Sequence, residues 1–267
     1  MKLVTWNVNS VRVRLAQVQE FLRQNQPDML VMQEIKCESA AFPALEFHGL
    51  GYTHQLVLGQ KAYNGVALLS RHPLEDTRLG LVTPDEPQAR YLEATIQGVR
   101  VAGLYAPNGQ PADGPAPGSE KYHDKLVWLD RLIARAQILL EMDMPVAMMG
   151  DFNIIPQSRD VTDPQAWQDH ALFHIEARRR YRALLNQGWT DSLRALHPQD
   201  DHLFTFWDYQ DNAFARDDGL RIDHVLLSPE AADRLSACTV ERATREGERP
   251  SDHAAVSVVL ADAPRRD

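Results

Sequence analysis

The apolar segments of this chain repeatedly stop at a side chain able to hold a proton, a phosphate or a cation. Leu3 to Val8 closes on Trp6-Asn7-Val8-Asn9, and Met29 to Met32 on Gln33-Glu34. Val99 to Tyr105 runs into Ala106-Pro107-Asn108-Gly109, and Val146 to Met149 into Gly150-Asp151-Phe152-Asn153. Arg221-Ile222-Asp223-His224 opens the run Ile222 to Leu227, and Ser251-Asp252-His253 precedes Ala255 to Leu260. Such short runs bounded by turn residues read as strands. A buried strand end has no intrinsic need for charge, and a lone carboxylate there is costly unless something compensates it. Several gathered together imply a cation.

Further strands are expected at Val66 to Leu69 and Tyr91 to Ile96, and helices at Leu15 to Gln24, Tyr122 to Met142 and Ile175 to Gln187. Hairpin-like strand succession mixed with longer helices predicts an α/β fold: a four-layer α/β sandwich, two mixed β-sheets packed face to face with helices outside. A length of 267 residues fits one domain over 1–267, and a 44% hydrophobic fraction supplies its core. Pro107 to Gly118 and Gln157 to Gln168 are loops that each follow a strand ending in polar chemistry, where binding loops belong.

Cys37 and Cys238 lie far apart without metal-ligand spacing, against both a disulfide framework and a zinc site. The opening Met1-Lys2-Leu3-Val4-Thr5-Trp6 is too short for a signal peptide and no run reaches membrane-spanning length, so a cytoplasmic protein away from membranes is expected. Charge argues against nucleic acid, with 28 Lys and Arg against 37 Asp and Glu leaving −9. That objection weakens where acidic residues converge on a metal, because the loaded cluster binds anions. Any phosphate-binding rim is then local. Arg12, Arg14, Lys36, Arg71, Arg90, Lys121 and Arg221 lie near the motif-bearing segments, whereas Arg178 to Arg182 reads as a solvated helix face.

Oxygen donors from Asn, Glu and Asp favour Mg²⁺, with Mn²⁺ able to substitute, over zinc. Glu34 is the foremost ligand candidate, helped by Asn7 and Asp252, with Asp151 and Asn153 around the reacting phosphate. Asp151 would accept a proton from water while Asn153 donates to a phosphate oxygen; alone, an Asp-x-Asn is more often an Asx turn. His253 has an available partner in Asp223, which would fix its tautomer, and His224 is a weaker candidate for the same work. Tyr105, ahead of the Pro107-Asn108-Gly109 turn, would offer a hydroxyl to the phosphate, although a strand-end Tyr is commonly packing.

From Trp6-Asn7 to Ser251-Asp252-His253 these segments resemble the exonuclease III family of AP endonucleases, within the endonuclease/exonuclease/phosphatase superfamily. The Asn, Gln-Glu, Gly-Asp-x-Asn and Ser-Asp-His elements are shared across the superfamily. Gln33-Glu34-Ile35-Lys36, Tyr63-Asn64-Gly65-Val66-Ala67, Phe204-Thr205-Phe206-Trp207-Asp208-Tyr209 and Gly219-Leu220-Arg221-Ile222-Asp223-His224 resemble its DNA-repair branch. Ser10 stands where a glycine is common, and Asn9 where some relatives carry Asp.

The resemblance implies metal ligands Asn7, Glu34 and Asp252, with Asp151, Asn153 and His253 in the wider metal and phosphate site. It makes Tyr105, Asp151 and His253 catalytic, Asn153 a transition-state stabiliser and Asp223 the support of His253. Phe206, Trp207, Leu220 and Ile222 match an apolar pocket for a base-less deoxyribose flipped from the duplex, and Arg221 and Asn64 fall in the same substrate-binding signatures. The implied partner is double-stranded DNA with abasic sites or blocked 3′ ends, acted on by a monomer. Hydrolysis would fall 5′ to the abasic site, with 3′-5′ exonuclease and 3′-phosphatase or phosphodiesterase action at the same centre. The alternative keeps the metal and changes the substrate to an inositol phosphate or phospholipid headgroup.

Overall fold

The computed structural model describes residues 1–262. Its first six strands are β1 (Lys2–Asn7), β2 (Met29–Gln33), β3 (His54–Leu58), β4 (Val66–Ser70), β5 (Glu75–Leu79) and β6 (Tyr91–Ile96). The others are β7 (Val99–Tyr105), β8 (Val146–Asp151), β9 (Thr190–Asp191), β10 (Asp223–Leu227), β11 (Leu235–Glu241) and β12 (Ala255–Leu260). They form two six-stranded sheets of order β11-β12-β1-β2-β4-β3 and β5-β6-β7-β8-β10-β9. Helix α1 (Leu15–Asn25) and the short α2 (Ala44–His48) cover the first sheet, and α3 (Glu120–Leu140) and α4 (Ile175–Gln187) the second.

Strand alternation builds these layers. Leu3 faces the opposite sheet with Val31, Leu68, Val101 and Met149, while its neighbour Val4 turns outward to Val18, Leu22 and Leu30. The four-layer expectation is thereby met. Four strands have no counterpart in the sequence reading, namely β3, β5, β9 and β11, and these are the four sheet edges. Edge strands such as Glu75–Leu79 expose one rim and carry polar side chains, so they lack the apolar run that marks a central strand. The helix expected from Tyr122 starts earlier, at Glu120, because the Ser119 hydroxyl accepts the Tyr122 N–H at 3.2 Å.

Register decides where the chemistry gathers. Parallel pairing sets Asn7 of β1 beside Gln33 of β2, and Tyr105 of β7 beside Asp151 of β8. Antiparallel pairing then puts Asp223, the first residue of β10, opposite Asp151. The strand ends of both sheets thus converge on one rim.

Candidate active site

Gly150 makes the convergence sterically feasible. Its φ is +152°, and a Cβ there would stand 1.9 Å from the Leu104 carbonyl oxygen, so only glycine lets β8 close on β7 before Asp151. Asn7 Nδ2 donates to Glu34 Oε1 at 2.9 Å and to Asp151 Oδ2 at 3.0 Å, clasping carboxylates from the two sheets. Its Oδ1 accepts the Asn9 N–H at 3.0 Å, so the amide nitrogen is the atom facing the two acids. Glu34 and Asn153 both sit at φ +51°, left-handed conformations of the kind that collect at functional sites. Lys36 Nζ lies 2.8 Å from Glu34 Oε2.

His253 stands behind this group. Its Nδ1 donates to Asp223 Oδ2 at 2.8 Å, and the same oxygen accepts the Thr205 hydroxyl at 2.7 Å. Its Nε2 is 3.8 Å from Asp151 Oδ2. Burial pulls the imidazole toward neutrality, but the Asp223 carboxylate beside it, with Asp151 and Asp252, pushes its pKa up to about 10. The protonated ring is a donor at both nitrogens, suited to a phosphate oxygen. Burial lifts the Asp151 carboxyl well above the usual carboxylate range; His253 opposes this, and Asp223 and Glu34 add to it. Burial followed by the Glu34 and Asp151 charges likewise raises the Tyr105 phenol, which remains a hydrogen-bond donor.

The donor set fits a hard divalent cation. Glu34, Asp151 and His253 offer ligand atoms that all lie within 4.8 Å of one another, and Asp252 lines the same cavity. Carboxylates held this close and dry repel one another, and a cation would relieve both the repulsion and the lifted Asp151. Asp252 Oδ1 accepts from Asn9 Nδ2 at 3.0 Å while Asn9 Oδ1 accepts from Lys36 Nζ. An Asp at position 9 could not make that donation. Ser10, in the place of the common glycine, takes φ +89° and bonds the Glu34 carbonyl through its N–H at 2.7 Å.

A cavity of about 320 Å³ opens onto these residues, lined by Glu34, Tyr105, Asn153, Phe206, Leu220 and Ile222 among others. Phe206 meets His253 edge to face with centroids 5.0 Å apart. Three residues expected to bind substrate do not line it. Trp207 and Arg221 alternate with Phe206 and with Leu220 and Ile222 along extended backbone, so they point to the opposite side. Trp207 is fully buried, with its indole N–H donating to Asp217. Arg221 is buried in an ion network with Asp160 and Asp191. Asn64 turns its side chain to Gln60 and shapes the Glu34 loop only through its carbonyl, which accepts the Lys36 N–H. Of the expected basic rim, Arg71 follows β4 at the end away from the site, where its N–H bonds the Asp28 carbonyl. Arg90 stacks on the Tyr105 ring at 4.8 Å.

Residues with no individual role assigned from the sequence also line the cavity: Asn108 and Asp208, which lie within quoted motifs, and Trp167, His170 and Leu172. A signal existed for Trp167, a large aromatic side chain inside an otherwise polar loop. Trp167 packs against His170 at 4.4 Å between centroids. None existed for Thr205, whose role depends on the fold bringing it to Asp223.

The model of the Endonuclease/Exonuclease/phosphatase family matches residues 4–253. The chain belongs to this family. Exodeoxyribonuclease III of Haemophilus influenzae is 32% identical, over 96% of this chain and 98% of its own. That likeness sets the chain among the nucleases of the family, as the shared motifs imply. Among solved structures, the 3′-5′ exonuclease NExo from Neisseria meningitidis is 42% identical, covers 98% of this chain and all of its own, and superposes with a TM-score of 0.92. An AP endonuclease from Archaeoglobus fulgidus is 38% identical over 97% of this chain and 99% of its own, with a TM-score of 0.91. A Neisseria NExo variant described as a 3′ phosphatase, bound to product DNA hairpin, is 41% identical over 97% and 99%, with a TM-score of 0.92.

Proposed function

We propose that the protein is a Mg²⁺-dependent DNA-repair phosphodiesterase that cuts the backbone 5′ to abasic sites and also processes 3′ ends. The carrying observation is that the acidic cluster and an apolar patch line one cavity, Phe206, Leu220 and Ile222 bordering the same space as Glu34, Asp151 and His253. An inositol phosphate would call for cations where these walls are apolar, whereas a base-less sugar is satisfied by them. Asp151 orients water and takes its proton as the water oxygen bonds to phosphorus. The bond from phosphorus to the 3′ oxygen breaks, and that oxygen takes up a proton from solvent water, leaving a 3′ hydroxyl and a 5′ deoxyribose phosphate. His253, Asn153 and Tyr105 donate to the phosphate oxygens as charge accumulates. A bound Mg²⁺ or Mn²⁺, held by Glu34 and Asp252 with Asp151, supplies charge neutralisation at the phosphate.

A duplex carrying one abasic analogue, incubated with Mg²⁺ and with EDTA, tests this. The expected result is a single cut 5′ to the analogue that EDTA abolishes; an intact analogue strand with Mg²⁺ present refutes it. A second reading, in which blocked 3′ ends are the main substrate, is favoured by the edge-to-face pair Trp167 and His170, which adds an aromatic wall to the cavity. It also accords with the 41% and 42% identity to the NExo structures. A 3′-phosphate primer on the same gel separates the two by relative rate.

A further inference from the structure

Lys125 projects from α3 into the protein, fully buried. Its ammonium donates to three main-chain carbonyls, Asn153 at 2.6 Å, Asn108 at 3.0 Å and Ala171 at 3.0 Å. These use all three of its protons. Each acceptor belongs to a different wall of the cavity. Asn108 follows β7, Asn153 follows β8, and Ala171 sits between His170 and Leu172, all but Ala171 lining the space. Gly109 is pressed on the lysine stem, where a Cβ would meet Lys125 Cδ at 2.6 Å. The side chains of two walls also touch, Asn108 Nδ2 donating to Asn153 Oδ1 at 3.3 Å, while Asn153 Nδ2 donates to Ala106 O at 2.9 Å.

We propose that Lys125 is a positioning residue for the reaction, whose ammonium sets the spacing of the three loops and thereby aims Asn153 at the phosphate. The inference rests on the phosphodiesterase reading above. Burying an ammonium without a contacting carboxylate is expensive, and an apolar side chain of similar length would fill the volume more cheaply. What methionine or leucine lacks is direction: three acceptors on separate loops converge on one cation in a single arrangement. Lys125 touches no reacting atom, so its effect passes through the Asn153 backbone and the loops on either side.

The test compares Lys125→Met and Lys125→Arg with the parent, by steady-state kinetics on the abasic duplex and by hydrogen–deuterium exchange. The Met variant is expected to lose about 10²-fold in kcat, with KM within about threefold, as misplacement of an otherwise intact site predicts. Exchange should quicken at 106–110, 152–155 and 169–173 while β7 and β8 keep their protection. The Arg variant, which keeps the charge and the donors, should recover about tenfold of the lost rate. A Met variant with parental kcat per folded molecule overturns the proposal, as does faster exchange spread through the whole core. Failure of both variants to fold also overturns it, because Lys125 would then serve stability alone. A parent inactive on every DNA tested, with the exchange pattern as expected, would sink the functional reading and leave the loop-spacing role of Lys125 standing.

Discussion

Replacing Asp223 by Asn changes one atom and removes the charge that holds His253 protonated. Asp223 Oδ2 takes both the His253 Nδ1 proton and the Thr205 hydroxyl. The rise of His253 from 6.5 to about 10 corresponds to roughly 5 kcal/mol of net preference for the charged ring, the balance of the Asp223, Asp151 and Asp252 charges against burial. Without the Asp223 charge, burial dominates and the ring is neutral at pH 7. Its remaining proton then stays on Nδ1 toward the Asn oxygen, and Nε2 has none to offer a phosphate. Losing one preorganised donor of this kind costs about 10²–10³ in kcat. The assay is steady-state cleavage of a fluorescent abasic duplex at pH 7 with Mg²⁺, with thermal melting to confirm folding. KM should move by no more than about threefold, since Asp223 is buried behind the ring and removed groups acting only in the transition state spare binding. A folded Asp223→Asn enzyme whose kcat lies within about threefold of the parent would refute the role assigned to the Asp223–His253 pair.

Arg221→Met distinguishes an internal ion network from a DNA contact. It removes the guanidinium that bonds Asp160 and Asp191 at 2.8 Å each, leaving Asp160 its Arg194 partner and Asp191 only the Tyr181 hydroxyl and a main-chain N–H, and should cost up to about 3–5 kcal/mol, or at most roughly 6–20 °C in Tm. An unchanged Tm with a shallower salt dependence of DNA binding would instead restore Arg221 to the substrate. His224 gives a pH test. Burial, then the neighbouring Arg221 charge, draws its pKa from 6.5 to about 4, so the unfolded chain takes up the proton first and stability falls as pH drops through 6.5 toward 4. The raised Asp151 works in the opposite direction, so the measurement is the stability difference between parent and His224→Gln by urea unfolding. That difference should shrink by about 3 kcal/mol from pH 7.5 to pH 4; a constant difference contradicts a buried neutral His224.

Central strands were legible because they are apolar on both faces, as Val146 to Met149 and Val66 to Leu69 are. Edge strands were not, because half their surface is wet and their pattern resembles a loop. Glu34, Asp151, Asp223 and His253 were legible because charge at the end of an apolar run needs an explanation, and the structure brings them into contact or near contact.

The sequence by itself determined the layer architecture and the chemical types gathered at the rim, since both follow from alternation and from the cost of burying charge. Only the tertiary structure decided which neighbour in each motif faces the substrate. A shift of one residue along extended backbone reverses the side, which parts Phe206 from Trp207 and Ile222 from Arg221. It also decided the partners of Thr205 and Lys125, because each bonds to groups distant in the chain, and such pairings have no local signature.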